Sequence, residues 1–236
     1  TFFRASGGFG MDVSFAREPA ILGTGGGLAN CRDLLAGEPF VYMNSDIIAD
    51  IDVRELAASF DAARAGGVLA VRRAVAGGGR VTVSRGRVVN LRNLLPGTPP
   101  PDHDFLGVAV FSPVIFDYLP SGFSDIVESA LVPMARDGAL LCREYEGMWH
   151  DIGTVESYRA ASVALLGMDG AYAERVRAAT GFRPEAVSRD AAIAEGAMVR
   201  RSVIGEGCSV GEGAVVEDSV LLPGAGVNAD ERVEKP

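Results

Sequence analysis

ILGTGGGLANCRDLLAGEPFVYMNSDIIADID, residues 21–52, contains the pattern from which the architecture of the chain follows. It opens with a glycine-rich loop (21–27), continues with a short helix predicted over 28–35, and then gives a buried strand predicted over 39–43. The strand stops at the turn cluster Asn44-Ser45-Asp46. Alternation of strand and helix predicts an α/β sheet with right-handed crossovers.

The same alternation continues on both sides of this stretch. Before it, residues 11–17 alternate in polarity and predict a strand. After it, Asp52 is predicted to cap a helix that ends at Gly66-Gly67, and a strand is predicted over 68–71. The order strand, helix, strand, helix, strand predicts a mostly parallel, Rossmann-like sheet. Asp46 then follows the carboxyl end of a parallel strand, which is the edge where ligands bind in open sheets. A turn aspartate is the alternative for Asp46, and a flexible turn is the alternative for the glycine loop.

The middle of the chain alternates further strands and helices. A hairpin is predicted at 81–91, a strand at 105–112, a helix capped by Ser124, a strand at 140–145, a helix capped by Thr154, and a last helix at 169–178 before a linker near 180–190. Asp151 lies just before the Thr154 cap. Asp46 and Asp151 are carboxylates that would suit a hard ion such as Mg²⁺ if the fold brings them together.

The C-terminal segment follows a six-residue period. Aliphatic residues recur at Met198, Ile204, Val210, Val216 and Leu222. This period predicts a short β-helix of about two coils, with one inward aliphatic side chain per rung. So short a β-helix must pack on the preceding domain or on another subunit, which leaves a homo-oligomer as one alternative. We therefore predict two domains, residues 1–180 and 190–236.

Composition limits the classes of function. The 22 Lys and Arg residues against 31 Asp and Glu residues give a net charge of −9, and no basic cluster that would bind nucleic acid is present. No apolar run approaches the length of about 18 residues that spans a membrane. Three distant cysteines suggest neither a disulfide framework nor a zinc site, so a reduced, cytoplasmic setting is expected.

Five segments together resemble the sugar-1-phosphate nucleotidyltransferases: ILGTGGGLANC, VYMNSDIIADID, DFLGVAVFSPVIFDYLP, EGMWHDIGTVESYRAA and the hexapeptide tail. The resemblance implies a Rossmann-like catalytic domain followed by a left-handed β-helix. It also implies an enzyme that makes an NDP-sugar and pyrophosphate from an NTP and a sugar 1-phosphate. Mannose-1-phosphate guanylyltransferases and glucose-1-phosphate uridylyl- or thymidylyltransferases are the types that the likeness suggests.

Roles for individual residues follow from the resemblance. Gly25, Gly26 and Gly27 would belong to the nucleotide site, with the backbone of Gly26 and Gly27 lining the nucleobase pocket. Asn44 and Gly107 would contribute to substrate binding, with Gly107 backing onto the sugar. Asp46 and Asp151 would be the catalytic residues and would ligate Mg²⁺, which neutralises the phosphates during in-line attack.

The chain departs from the family at two places. The glycine-rich phosphate loop with its downstream lysine has no counterpart, so the chain is expected to begin inside the domain and to be inactive by itself. The glutamate-lysine-proline motif that helps to bind sugar is also absent, and Arg92-Asn93-Leu94-Leu95-Pro96 stands near its place. Two alternatives stay open: a non-catalytic relative that binds NDP-sugars, and, less favoured, a hexapeptide acyltransferase.

Overall fold

The computed structural model describes residues 7–60, 65–75, 79–166, 174–176, 178 and 186–234. The chain divides into two compact units, each taken by itself below. The sheet unit is Ser14–Trp149, and the coil unit comprises Thr1–Val13 and His150–Pro236. Most of the last predicted helix (169–178) and half of the predicted linker (180–190) lie outside the described residues.

A six-stranded sheet organises the sheet unit. Its strands are β1 (Phe40–Met43), β3 (Gly67–Arg73), β4 (Val81–Ser84), β5 (Arg87–Leu91), β6 (His103–Phe111) and β7 (Leu140–Glu144), and a short strand β2 (Ile47–Ala49) lies outside it. The strands are ordered β1-β6-β3-β7-β5-β4. The predicted hairpin is confirmed as β4 and β5, whose turn residues Arg85 and Gly86 have φ angles of 51° and 74°.

The prediction of a mostly parallel sheet is wrong for the described strands. Only the pair β3–β7 is parallel among them, and the ladders that β6 forms with β1, β3 and β4 are antiparallel. The strand-helix-strand pattern does make β1 and β3 run in the same direction, because both are antiparallel to β6. The long strand β6 lies between them, however, so the two strands that are neighbours in sequence are not neighbours in the sheet.

Apolar side chains cover both faces of this sheet. On one face Leu69, Val71 and Phe111 pack with Leu131 and Met134, and all five are fully buried. On the other face Leu56 packs with residues that include Ile47, Val68, Leu106 and Val108. At about 25 cal/mol per Å² of apolar area removed from water, these two clusters supply the main stabilisation of the unit.

Helices of the sheet unit are short. They are α1 (Gly23–Ala29), α2 (Arg32–Leu35), α3 (Val53–Ala58), a 3₁₀ helix (Pro113–Asp117), and α4, which begins as a π-helix (Val127–Leu131) and continues as an α-helix (Val132–Arg136). The predicted cap of α3 is confirmed, because Asp52 Oδ1 accepts a hydrogen bond from Arg54 N at 2.9 Å. This helix ends before Ser59 and does not reach Gly66.

Three sequence predictions of local structure are wrong. Residues 11–17 form no strand, because alternation without a pairing partner does not fix an extended ladder. The glycine segment is helical from Gly23 onward and is not a loop. Asp125, not Ser124, caps α4, because Asp125 Oδ1 accepts from Val127 N at 2.9 Å and from Glu128 N at 3.1 Å.

The coil unit holds the hexapeptide rungs. Strand β8 (Trp149–Asp151) crosses into it, and helix α5 (Val155–Leu166) follows with the predicted Thr154 cap. Eight short strands come next: β9 (Ala192–Ile193), β10 (Met198–Arg200), β11 (Val203–Ile204), β12 (Ser209–Val210), β13 (Val215–Glu217), β14 (Val220–Leu221), β15 (Gly226–Val227) and β16 (Arg232–Glu234). Each of these strands pairs in parallel with a strand three places away along the chain. The pairing makes three small sheets and confirms the predicted parallel coil.

A strict six-residue period does not describe this coil. Ala192 pairs with Ser209 and Ser209 with Gly226, so that one turn of the coil takes 17 residues instead of the 18 that three six-residue rungs require. Ile204, Val210 and Val216 are buried as predicted. Met198 and Leu222 are instead 40% and 61% exposed, and in the latter rung Leu221, at 9% exposure, takes the inward position.

One shortened corner in each turn explains the missing residue. Arg201 and Asp218 adopt left-handed φ angles of 43° and 48°, which fold the chain sharply between two rungs. The serines that follow are buried, and Ser219 N donates to Ser202 Oγ at 3.1 Å across the two corners. Arg201 also pairs with Asp218 at 2.8 Å, and this ion pair links the corners of two successive turns.

None of the helices in the described part of the chain has the length and apolarity that a membrane crossing requires.

The register of the coil can be tested by replacing two adjacent leucines, one buried and one exposed. Leu221→Ala should lower the free energy of unfolding by about 2–5 kcal/mol, because it leaves a cavity in the packed coil. Leu222→Ala should change it by no more than about 0.5 kcal/mol, because that side chain is largely in solvent. Urea unfolding of both variants measures these changes. A larger loss of unfolding free energy for Leu222→Ala than for Leu221→Ala would contradict the observed register and favour the strict six-residue period.

Candidate functional site

Asp46 lies where the sequence predicts it, directly after a strand. Strand β1 ends at Met43, and Asn44-Ser45-Asp46 form the turn that leads into β2. The carboxylate of Asp46 is exposed and accepts no hydrogen bond from a described residue. The strand itself differs from the prediction: it is an antiparallel strand at the edge of the sheet, not a buried parallel one, and Val41 and Met43 are about half exposed.

Asn44 and Gly107, which are both predicted site residues, are in direct contact. Asn44 N donates to Gly107 O at 2.9 Å, and the hydroxyl of Tyr42 donates to Asn44 Oδ1 at 2.7 Å. Gly107 has a φ of +71° in the middle of strand β6. A Cβ atom at this position would lie 3.0 Å from Asn44 Nδ2 and 3.0 Å from Ile47 Cγ1. Both the backbone angle and the close approach therefore favour glycine here.

Tyr42 holds this cluster as a hydrogen-bond donor. Burial, and after it the negative charges of Asp46 and Asp125, raise the pKa of Tyr42 above its ordinary value. The phenol therefore stays protonated across the physiological range, and its bond to Asn44 fixes the orientation of that amide. Sequence reasoning missed Tyr42, although its position two residues before Asn44, on the same face of a strand, was the available signal.

A cavity of about 190 Å³ opens beside this cluster, and we call it the strand-end cavity. Its wall comes from the ends of β1, β4, β5 and β6 together with the start of α4. The lining residues are Thr24, Tyr42, Asn44, Arg80, Val81, Leu91, Arg92, Asp104, Phe105, Asp125, Ile126 and Val127. Polar groups converge on a partly apolar recess, which is the usual composition of a small-molecule site.

An ion pair closes one side of the strand-end cavity. Arg92 Nη1 and Nη2 donate to the two carboxylate oxygens of Asp125 at 3.1 Å and 3.3 Å, and Nη1 also lies 3.4 Å from Glu128 Oε1. Asp125 in turn caps α4, so this fork joins strand β5 to the helix. Arg92 is the first residue of the segment 92–96, which stands near the place of the absent glutamate-lysine-proline motif. The ion pair between Arg92 and Asp125 could not be predicted from the sequence.

The three predicted glycines lie in helix α1, packed against residues 122–126. Gly25 N and Gly26 N both donate to Ser124 O, at 2.8 Å and 3.3 Å. A Cβ atom at Gly25 would lie 2.6 Å from Ser124 Oγ, and one at Gly26 would overlap Gly122 O. Close backbone packing therefore accounts for two of the glycines. The nucleobase-binding role of Gly25, Gly26 and Gly27 stays a prediction.

Asp151 lies in the coil unit, at the end of β8, whereas Asp46 lies in the sheet unit. Its carboxylate is exposed, and Oδ1 accepts from Gly153 N at 2.8 Å. No group of three or more His, Cys, Asp or Glu side chains suited to a metal occurs among the residues that the structure describes. The donor chemistry nevertheless fits Mg²⁺, because this ion is commonly held by one or two carboxylates together with substrate phosphates. The convergence of the two aspartates stays a prediction.

Two aromatic residues near the predicted motifs have structural roles. Trp149 Nε1 donates to Leu106 O at 2.8 Å, and the guanidinium of Arg72 lies 4.3 Å from the centre of its ring. The buried ring of His103 lies between two carboxylates, with Nδ1 2.8 Å from Asp102 and Nε2 3.2 Å from Glu144. Neither ring nitrogen of His103 is free to act as a general base.

Comparison with known proteins identifies the family. Residues 3–167 match the family described as Nucleotidyl transferase, and residues 174–236 match the one described as GlmU-like, C-terminal hexapeptide. The first match covers more than half of the chain, so the chain belongs to the nucleotidyl transferase family.

Relatives with named activities cover different shares of the chain. It is 31% identical over 165 residues to mannose-1-phosphate guanylyltransferase catalytic subunit beta of Dictyostelium discoideum, covering 63% of this chain and 43% of that protein. Mannose-1-phosphate guanylyltransferase of Mycobacterium tuberculosis is 29% identical over 237 residues, covering 96% of this chain and 64% of that protein. N-acetylmuramate alpha-1-phosphate uridylyltransferase of Neisseria meningitidis is 26% identical, covering 67% and 69%. The chain therefore spans about half to two thirds of the length of these relatives.

Among solved structures, a putative glucose-1-phosphate thymidylyltransferase from Bacillus anthracis, in complex with a sucrose, resembles the chain with a TM-score of 0.57. Sequence identity is 19%, and the match covers 71% of each chain. This likeness supports the fold, which is a mixed α/β nucleotidyltransferase-like sheet.

The packing of α1 gives a test with a neighbouring control. Gly26→Ala should lower the free energy of unfolding by about 1–3 kcal/mol, because the added methyl group meets the backbone at Gly122. Gly27→Ala should leave it unchanged or raise it by up to about 1 kcal/mol, since its methyl group meets only the end of Glu18 and alanine favours a helix. Thermal and urea unfolding measure both. Equal losses would contradict the packing account.

Proposed function

We propose that this protein transfers a nucleotidyl group from an NTP to a sugar 1-phosphate, giving an NDP-sugar and pyrophosphate. The observation that carries the proposal is the contact between Asn44 and Gly107 beside the strand-end cavity, with Asp46 two residues further on. Membership of the nucleotidyl transferase family supports it, and so do the activities named for the relatives in Dictyostelium and Mycobacterium.

The reaction needs no nucleophile from the protein. A phosphate oxygen of the sugar 1-phosphate attacks the α-phosphorus of the NTP. A bond forms between this oxygen and the α-phosphorus, and the bond between the α-phosphorus and the oxygen that leaves with pyrophosphate breaks. Burial, and after it Glu144 and Asp102, raise the pKa of the Cys142 thiol to about 11, so this cysteine is not a thiolate at neutral pH. Catalysis then depends on positioning and on electrostatic stabilisation of the phosphates.

Residues of the sheet unit would position the sugar. In this proposal the backbone of Gly107 backs onto the sugar ring, as the resemblance to the family implies. Asn44, oriented by Tyr42, offers its amide Nδ2 as a hydrogen-bond donor. Gly25, Gly26 and Gly27 would line the nucleotide site, and the close approach of α1 to residues 122–126 would hold that helix in place.

Asp46 and Asp151 would hold Mg²⁺. When bound, the ion supplies charge neutralisation at the phosphates. The support for this assignment is the donor chemistry: two exposed carboxylates, one of which accepts no hydrogen bond from a described residue. Carboxylate oxygens are the ligands that magnesium favours.

The finer architecture belongs to the same proposal. The parallel coil at 192–234 is proposed to be left-handed, the nucleotide-binding half of the domain to be Rossmann-like, and the coil to be the surface through which copies of the protein assemble. A cytoplasmic location accords with the three cysteines, which are free thiols. Mannose or glucose 1-phosphate with GTP, UTP or dTTP are the substrate pairs to examine first.

Aspartate substitutions test the proposal. In the intact protein, Asp46→Asn and Asp151→Asn should each lower the rate of pyrophosphate release by about 100-fold to 1,000-fold, because each removes a carboxylate that would hold the Mg²⁺ ion against the phosphates. Both variants should unfold at the wild-type temperature, since the two carboxylates are exposed. Asp33→Asn, an exposed change in α2, is the control and should keep full activity. Wild-type turnover by Asp151→Asn would contradict the metal assignment.

Binding of NDP-sugars without pyrophosphate release from any substrate pair would identify a non-catalytic relative.

A further inference from the structure

Four charged side chains line the strand-end cavity, and two of them neutralise each other. Arg92 is held by Asp125 and Glu128 through three contacts of 3.1–3.4 Å. The Oδ1 atom of Asp125 also accepts the backbone N–H groups of Val127 and Glu128. Arg92 and Asp125 therefore frame the cavity as a closed ion pair, and neither has an unused charge to offer a ligand.

Arg80 and Asp104 are the other two charged residues of the lining. Neither side chain forms a hydrogen bond or an ion pair with any residue in the described ranges, and they are not paired with each other. The cavity thus presents one uncompensated guanidinium and one uncompensated carboxylate.

The backbone of Arg80 is fixed, although its side chain has no partner among the residues that the structure describes. Its N–H donates to His103 O at 2.8 Å, and its carbonyl accepts from Arg92 N at 2.6 Å. The next residue, Val81, pairs with Leu91 in β5 and with His103 in β6. Three strands therefore set the position of the Arg80 Cα, so that the guanidinium extends from a fixed position in the lining of the cavity.

This pair of groups matches the chemistry of one class of ligand. A guanidinium presents a planar fork of donors that fits a carboxylate or a phosphate with two hydrogen bonds. A carboxylate accepts hydrogen bonds from hydroxyl groups and repels a second anion. A polyhydroxylated molecule with a single anionic group complements both: its hydroxyls face Asp104, and its anion faces Arg80.

We infer that Arg80 is a specificity-determining residue that binds the anionic group of a sugar ligand in the strand-end cavity. This inference rests on the proposed function and adds that the sugar lies in the strand-end cavity, which Asn44 lines. The anion is either the 1-phosphate or a carboxylate carried by the sugar, because the guanidinium serves both. Arg80 then takes a part in sugar recognition that the absent glutamate-lysine-proline motif leaves open.

Calorimetric titration of the full chain with three probes tests the inference. Glucose 1-phosphate carries only a phosphate, glucuronate carries only a carboxylate, and glucose carries neither. Arg80→Gln should weaken binding of at least one anionic probe by about 10-fold or more and leave the affinity for glucose unchanged. The probe that loses affinity identifies the anion.

Arg85→Gln is the matched control for net charge. Arg85 lies in the exposed turn between β4 and β5, does not line the cavity, and loses the same charge on substitution. Equal loss of affinity in both variants, or wild-type affinity of Arg80→Gln for both anionic probes, would overturn the role of Arg80 while the proposed function stands. Failure of the wild-type chain to bind any of the three probes would overturn the sugar site itself, and the inference with it.

Discussion

The left-handed backbone of Gly107 connects the sheet to the candidate site. Strand β6 pairs with β1, β3 and β4, and so it organises most of the sheet. At Gly107, φ is +71°, and the carbonyl of this residue accepts the N–H of Asn44. The turn that carries Asp46 is therefore anchored on β6, and Tyr42 completes the anchor through its bond to Asn44. The cavity beside Gly107 and Asn44 is lined by residues of β1, β4 and β6, and the pairing of β1 and β4 with β6 holds these residues in place.

Local chemistry could be predicted from the sequence. The caps at Asp52 and Thr154, the hairpin around Arg85 and Gly86, and the parallel coil all follow from side chains within a few residues of each other or from a short period. Strand order could not be predicted in this way. The alternation from 11 to 71 correctly implies that β1 and β3 run in the same direction, but nothing local indicates that β6, more than thirty residues further on, lies between them.

The same limit explains the errors in detail. Gly23–Ala29 is a helix because the backbone at Ser124 accepts the N–H groups of its first turn, a contact across about a hundred residues. The coil shortens to 17 residues per turn because only residues 201–202 and 218–219 separate the strands at one corner, a shortening that a strict six-residue period does not include. In the site, Asp46, Asn44 and Gly107 could be located from motifs. Arg80, Arg92, Asp104 and Asp125 belong to four different segments, and only the folded sheet brings them to one cavity.

The most direct measurement compares two glycines with similar backbone angles. Gly107 and Gly97 have φ angles of 71° and 76°, but only Gly107 has neighbours close to the position of a Cβ atom. Alanine at Gly97 should lower the free energy of unfolding by about 1–2 kcal/mol, the cost of the left-handed angle. Alanine at Gly107 should cost at least about 1 kcal/mol more, through overpacking against Asn44 and Ile47. Equal losses in urea unfolding would contradict the claim that Gly107 anchors the site to the sheet.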